Sequence, residues 1–168
     1  MPDLDELLVG AVALAGGELV GRIRLQKVVY LLDQLGMNSG ASFEYHHYGP
    51  YSEAVSDAVT DAKFWGHLEE VVSFRVTDGA PYSSFRTDNP APARLGELRA
   101  EDATRYLGMF KGHTSTVLEV AATVHWLVFK EGRADWRAQI EVRKEGKTGN
   151  GRLDKALGLL QELGLAPA

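Results

Sequence analysis

A chain of 168 residues with 45% hydrophobic side chains can close one good core, or a core with a packed helical extension, but not two large domains. With 18 basic against 23 acidic residues, the net charge of -5 provides no overall drive toward phosphate backbones or anionic membranes, so nucleic-acid contact needs a local basic patch. Cysteine is absent, which removes disulfides, thiolate nucleophiles, Cys-based zinc sites and iron–sulfur clusters, while the acidic start Met-Pro-Asp-Leu-Asp-Glu and the lack of an apolar run near ~20 residues suit a cytoplasmic protein.

Asp3 and Glu6 have capping-box spacing, and Leu4, Leu7, Leu8 and Ala11 recur at i, i+3, i+4 and i+7, which predicts an amphipathic helix stopped by Gly16-Gly17. From Gly21 the segment GRIRLQKVVYLLDQLG repeats the spacing through Leu25, Val28, Val29 and Leu32, with Gly36 at the expected helix end. After a polar loop, Phe43 to Tyr48 suits a short strand running into a turn at Gly49-Pro50. Ser52 then caps a third helix whose inward face reads Val55, Ala58, Val59, Ala62 and Trp65.

LEEVVSFRVT, the turn pair Asp78-Gly79 and PYSSFRT read as a β-hairpin, with Val72, Phe74 and Val76 alternating on one face. Three short helices followed by a hairpin is the element order of a winged-helix-like module. Asp88-Asn89-Pro90-Ala91-Pro92-Ala93 is the clearest boundary, since its two prolines can continue neither a helix nor a central strand. Beyond it everything reads helical: a helix through Ala103, Tyr106, Leu107 and Phe110; a second from Thr114 whose run Val117 to Phe129 is apolar almost all round; a polar helix bearing Trp136; the link KEGKTGNG; and a closing helix. The expected fold class is α+β and mostly helical, with a winged-helix-like region over 1–92 and a helical region over 93–168 packed on it as one folding unit.

No catalytic, cofactor or metal constellation emerges. His46 and His47 are adjacent in a strand, so their side chains leave opposite faces and cannot chelate one ion together. Gly146-Lys147-Thr148 looks like the tail of a phosphate-binding loop, but position 141 is Glu141 where that loop needs glycine, and a solvated linker explains the same composition. Thr114-Ser115 beside His113 reads as a helix cap. The third helix exposes Glu53, Asp57 and Asp61 against one Lys63, which phosphates would repel; the better basic cluster is Arg22, Arg24 and Lys27 with Arg75 and Arg86. Tyr45 to Ser52 is the most informative stretch, because aromatics around a Gly-Pro turn make the rigid amphipathic surface used for interface anchors.

The segments GRIRLQKVVYLLDQLG and FEYHHYGPYSEAVSDAV resemble the SocA antitoxin/Panacea-related family, and within it the YwgA-like branch. Leu25, Gln26 and Lys27 match one motif of that branch, Tyr48, Gly49, Pro50, Tyr51 and Ser52 match the other, and VLEVAATVHWL with RLDKALGLLQELGL extends the likeness. The loop 37–42 and the Tyr-His-His before the turn depart from the commonest pattern. The resemblance implies an antitoxin-type or adaptor-type protein that regulates a protein partner, such as a cognate toxin, by direct contact. The expectation is therefore a non-enzymatic interaction module using Arg24, Lys27, His46, Tyr48 and Tyr51 as its partner surface, with a winged-helix DNA-binding transcription regulator as the alternative.

Overall fold

The computed structural model describes residues 3–168 and is α+β, mostly helical. Met1 and Pro2, part of the acidic start, lie outside the described residues. Helix α1 (Leu4–Leu14) begins after Asp3 without the expected side-chain cap, and β1 (Glu18–Val20), a strand not expected from the sequence, follows. Gly16 and Gly17, at φ 98° and 91°, fold the chain back tightly enough for β1 to join a sheet.

Helix α2 (Arg22–Gln34) is the centre of the molecule: every residue from Leu25 to Leu32 is buried, because the helix is packed on by α5, α4, β1 and β3 at once. In chain order α2 is followed by the hairpin strands β2 (Glu44–His46) and β3 (Gly49–Tyr51), then, after α3 (Glu53–Phe64), by β4 (Glu69–Phe74), β5 (Pro81–Arg86), the small ladder β6 (Arg94–Leu95) and β7 (Leu98–Arg99), α4 (Ala100–Lys111) and α5 (Ser115–His125). A π-helical turn (Trp126–Lys130) prolongs α5, and α6 (Trp136–Arg143) and α7 (Arg152–Leu163) complete the chain. Ser52 and Thr114 cap α3 and α5 through bonds accepted from Val55 N and Val117 N, as their positions predict.

The main sheet has antiparallel order β1-β5-β4, with Leu19 opposite Phe85 and Glu70 opposite Phe85 across the two ladders. At its root Glu70 accepts from Arg22, Lys63 and Ser83, tying α2, α3 and both hairpin strands together. Burial alone would raise this carboxyl, but the three donors outweigh it and hold it at about 2. The buried apolar residues form one cluster running from Leu7 to Leu163. No helix among the described residues is long and apolar enough to cross a membrane.

One core expectation changes. Trp65 is exposed, because Ala62 is the last buried residue of the α3 stripe and Trp65, at the helix cap, overshoots the core, its ring meeting that of Phe64 edge-on at 5.1 Å. Val72, Phe74 and Val76 are exposed as well, since the far half of the β4–β5 hairpin reaches past the elements that cover its root. We predict that Leu32→Ala, at a fully buried α2 position, costs roughly 2–5 kcal/mol. Trp65→Ala, at 68% exposure, should change stability by less than about 0.5 kcal/mol. Urea midpoints of the two variants check both values, and equal losses would reject this core assignment.

Candidate functional site

The β2–β3 hairpin is held from beneath by long polar side chains that reach it through the interior. Gln26 makes a reciprocal pair with Ser52, accepting from its N–H at 2.9 Å and donating to its carbonyl at 3.0 Å. Lys27 donates to the Pro50 carbonyl at 2.7 Å, and Lys144, from the end of α6, donates to the His47 carbonyl at 2.9 Å. Backbone carbonyls that would otherwise be stranded inside are thereby satisfied. Gly49 closes the seat: its φ is 91°, and an added Cβ would stand 2.6 Å from the Thr123 hydroxyl.

The charge that makes this arrangement tolerable sits on α5. Glu119, 2% exposed, is 2.9 Å from both the Lys144 and the Lys147 ammonium groups, and Lys27 lies within the same field. Three ammonium groups thus face one carboxylate. Burial lowers the Lys27 ammonium from 10.5 to about 8, with Glu119 opposing the shift and Lys144 and Lys147 adding to it. Lys144 is lowered chiefly by burial too, against the stabilising bond from Glu119.

Above these cations lie the exposed aromatics. The His46 ring stacks on Tyr51 at 4.6 Å, His47 meets Tyr48 edge-on at 4.8 Å, and the Lys147 ammonium stands 4.8 Å from the Tyr48 ring centre. Tyr45 is covered by the Arg143 guanidinium at 4.8 Å. Beside the hairpin a cleft of about 240 Å³ opens between Tyr48, Tyr51, Arg22, Ile23, Ser56 and Phe85.

Of the five residues singled out in the sequence, His46, Tyr48, Tyr51 and Lys27 are brought together at this hairpin. Lys27, however, is only 1% exposed and acts from inside, so it is no surface contact. Arg24 is directed elsewhere: it donates to the carbonyls of Phe110 and His113 at 2.9 and 2.7 Å and staples α2 to the α4–α5 corner. Sequence reasoning missed Glu119, Lys144 and Lys147. A lone carboxylate in the apolar run 117–129 was the available signal, while Lys147 lay in a segment that reads as a linker.

No family model matches the chain. It is 24% identical over 147 residues to the uncharacterized protein YwgA of Bacillus subtilis, covering 88% of this chain and 89% of that protein, which supports the YwgA-like part of the resemblance. It is also 32% identical over 123 residues to a DNA ADP-ribosyl glycohydrolase of Thermus aquaticus. That match covers 71% of this chain, and 34% of the enzyme, so the chain spans about a third of that relative's length. This relative overturns the expectation of a non-enzymatic antitoxin-like or adaptor-like module, and with it the alternative of a transcription regulator, because the named protein is an enzyme. The expectation rested on finding no converging reactive set in the sequence. Glu119, Lys144 and Lys147 illustrate why such a search falls short: groups from α5 and the segment after α6 converge only in the fold.

Two outcomes test the buried charge set. Glu119→Gln leaves Lys144 buried without its counter-charge and should cost roughly 3–5 kcal/mol in urea unfolding, and a near-neutral effect would show that the lysines do not depend on it. The pH dependence has a definite sign. Lys27 titrates at about 8 in the fold and at 10.5 when unfolded, so between these values the unfolded chain binds more protons, and stability gains as pH rises through that window. Wild type measured against Lys27→Met should therefore gain stability from pH 8 to 10; a flat difference would place the Lys27 titration outside this range.

Proposed function

We propose that the chain works in the removal of ADP-ribose from DNA, and that the β2–β3 hairpin with its adjoining cleft is where the modified strand is held. The observation that carries the reading is the 32% identity, over 71% of this chain, to a protein named as a DNA ADP-ribosyl glycohydrolase. The chemistry of the hairpin supports it. A nucleotide strand without a paired partner is gripped by aromatic faces for its bases and by cations for its phosphates. Tyr48 and Tyr51 offer such faces, Arg22 lines the same cleft, and Lys147 stands over the Tyr48 ring.

The local charge works in the same direction. Although the chain carries -5 overall, three ammonium groups share one carboxylate beneath the hairpin, so the field there is positive. Burial of Lys27 and Lys144 keeps their part of that field from being screened as freely exposed charges are. The tethers to His47 and Pro50 hold the aromatic surface in one shape, so little ordering is needed when a strand docks.

An oligonucleotide carrying one ADP-ribosyl group, incubated with the chain, should release free ADP-ribose, read by chromatography, and should bind with an affinity that falls steeply as salt rises. Tyr48→Ala, at a half-exposed side chain with little structural burden, should weaken that binding about tenfold, the loss of one stacked base. Neither binding nor release by the wild-type chain would reject the reading.

A further inference from the structure

The β4–β5 hairpin leaves the main sheet open on one side. The order β1-β5-β4 puts β4 at an edge, and no strand among the described residues pairs with its outer side. Such an edge presents a row of free N–H and C=O groups and is usually guarded by a lysine, a proline, a bulge or a short length. In β4 the six residues Glu69–Phe74 run in unbroken register against β5 and include neither lysine nor proline. Glu70 does not guard the edge, because its carboxylate is buried against Arg22 and Lys63. Val72 and Phe74, on the same side of the sheet as Glu70, stand 57% and 68% exposed.

The backbone fixes how a further strand can join. The Arg75 N–H donates to the Ala80 carbonyl at 2.9 Å, so Arg75, and by alternation Ser73, Val71 and Glu69, turn their backbone groups toward β5. Ser83, opposite Val72, directs its carbonyl the other way, to the Gly21 N–H at 2.8 Å. Glu70, Val72 and Phe74 therefore point their N–H and C=O groups out of the free edge.

We infer that a second copy of this chain occupies this edge, β4 pairing antiparallel with its own copy about a two-fold axis at Val72 to make one continuous sheet. In this register Val72 exchanges both backbone bonds with Val72 of the second copy, and Glu70 exchanges them with Phe74 of the second copy. The same register places Glu69 directly opposite Arg75 of the second copy, and symmetry repeats the pair at the other end; any other register separates these charges. Glu69 is available for it, since Arg86, its neighbour on β5, donates to Glu18 instead. Arg75 holds the exposed Asp78 at the hairpin turn, and its guanidinium retains further donors. On the opposite face Val72 meets its own copy and Phe74 reaches Val72 of the second copy on the diagonal, which covers apolar side chains that otherwise face water. Charge and apolar pattern thus both fit the strand to itself, as a two-fold contact requires. The shared ladder is short, so the dimer forms and parts with concentration.

Analytical ultracentrifugation of the full chain, from low micromolar to submillimolar concentration, should show a monomer–dimer equilibrium. Val72→Pro removes the central edge donor, which β5 does not use, and should abolish the dimer while circular dichroism shows the fold retained. Arg75→Glu sets like charges opposite each other at both ends of the ladder and should raise the dimer Kd about tenfold or more. Adding Glu69→Arg to Arg75→Glu restores opposite charges and should return the Kd to near that of the wild type, so the charge swap decides the matter even where Val72→Pro fails to fold. A wild-type chain that stays monomeric throughout overturns the inference, whether its edge is bare or takes a strand of another protein. A dimer that Arg75→Glu leaves unchanged, or that the double variant does not restore, overturns its placement on β4.

Discussion

Glu119 is the charge on which the support of the β2–β3 hairpin rests. Placed on the buried face of α5, it compensates two ammonium groups directly and a third through the field, and two of the three are themselves almost without solvent contact. Desolvating a lysine is costly, and an uncompensated one in this position would neutralise or move outward. With Glu119 present, Lys144 and Lys27 can spend their donors on the carbonyls of His47 and Pro50. The aromatic tip of the hairpin is thereby presented by side chains that approach from below, and its upper surface stays free.

Arg143 covers Tyr45 of the hairpin and at the same time clamps Glu131, which steadies the Trp126 indole. The Glu131 carboxyl is held at about 2, chiefly by the Arg143 bonds, so it remains a charged acceptor throughout the neutral range. Burial likewise lowers His125 to about 4, leaving a neutral ring that pairs with the Tyr30 hydroxyl at 2.7 Å. This region is built mainly from fixed polar pairs, so its side chains are held in one arrangement.

Local signals were legible where one segment settles its own structure. The heptad-like stripes of α1 and α2, the Ser52 and Thr114 caps and the Asp78-Gly79 turn appear where periodicity and turn chemistry put them, whereas the turn expected at Gly49-Pro50 falls at His47-Tyr48, because Gly49 and Pro50 pair with His46 and Tyr45 as strand β3. What the sequence concealed depends on distant partners. β1 exists only because β5 offers it an edge, and Trp65 continues a perfect stripe yet faces water because α3 outruns its support. Arg24 and Lys27 look alike on paper, three positions apart on one polar-looking turn, but one caps the α4–α5 corner and the other is sealed under the hairpin. The Tyr48 to Ser52 motif marks the β2–β3 hairpin, while Lys144, which holds its tip, comes from the other end of the chain.

That separation orders events during synthesis. The carbonyl of His47 leaves the ribosome 97 residues ahead of the lysine that will hold it, whereas the Lys27 and Gln26 tethers are already available from the preceding helix. A nascent chain can therefore sketch the corner at Ser52 early, but its tip gains the last anchor only when α6 has emerged and docked. A chain cut before Lys144 would thus keep the Ser52 corner while leaving the His47 carbonyl without its lysine donor.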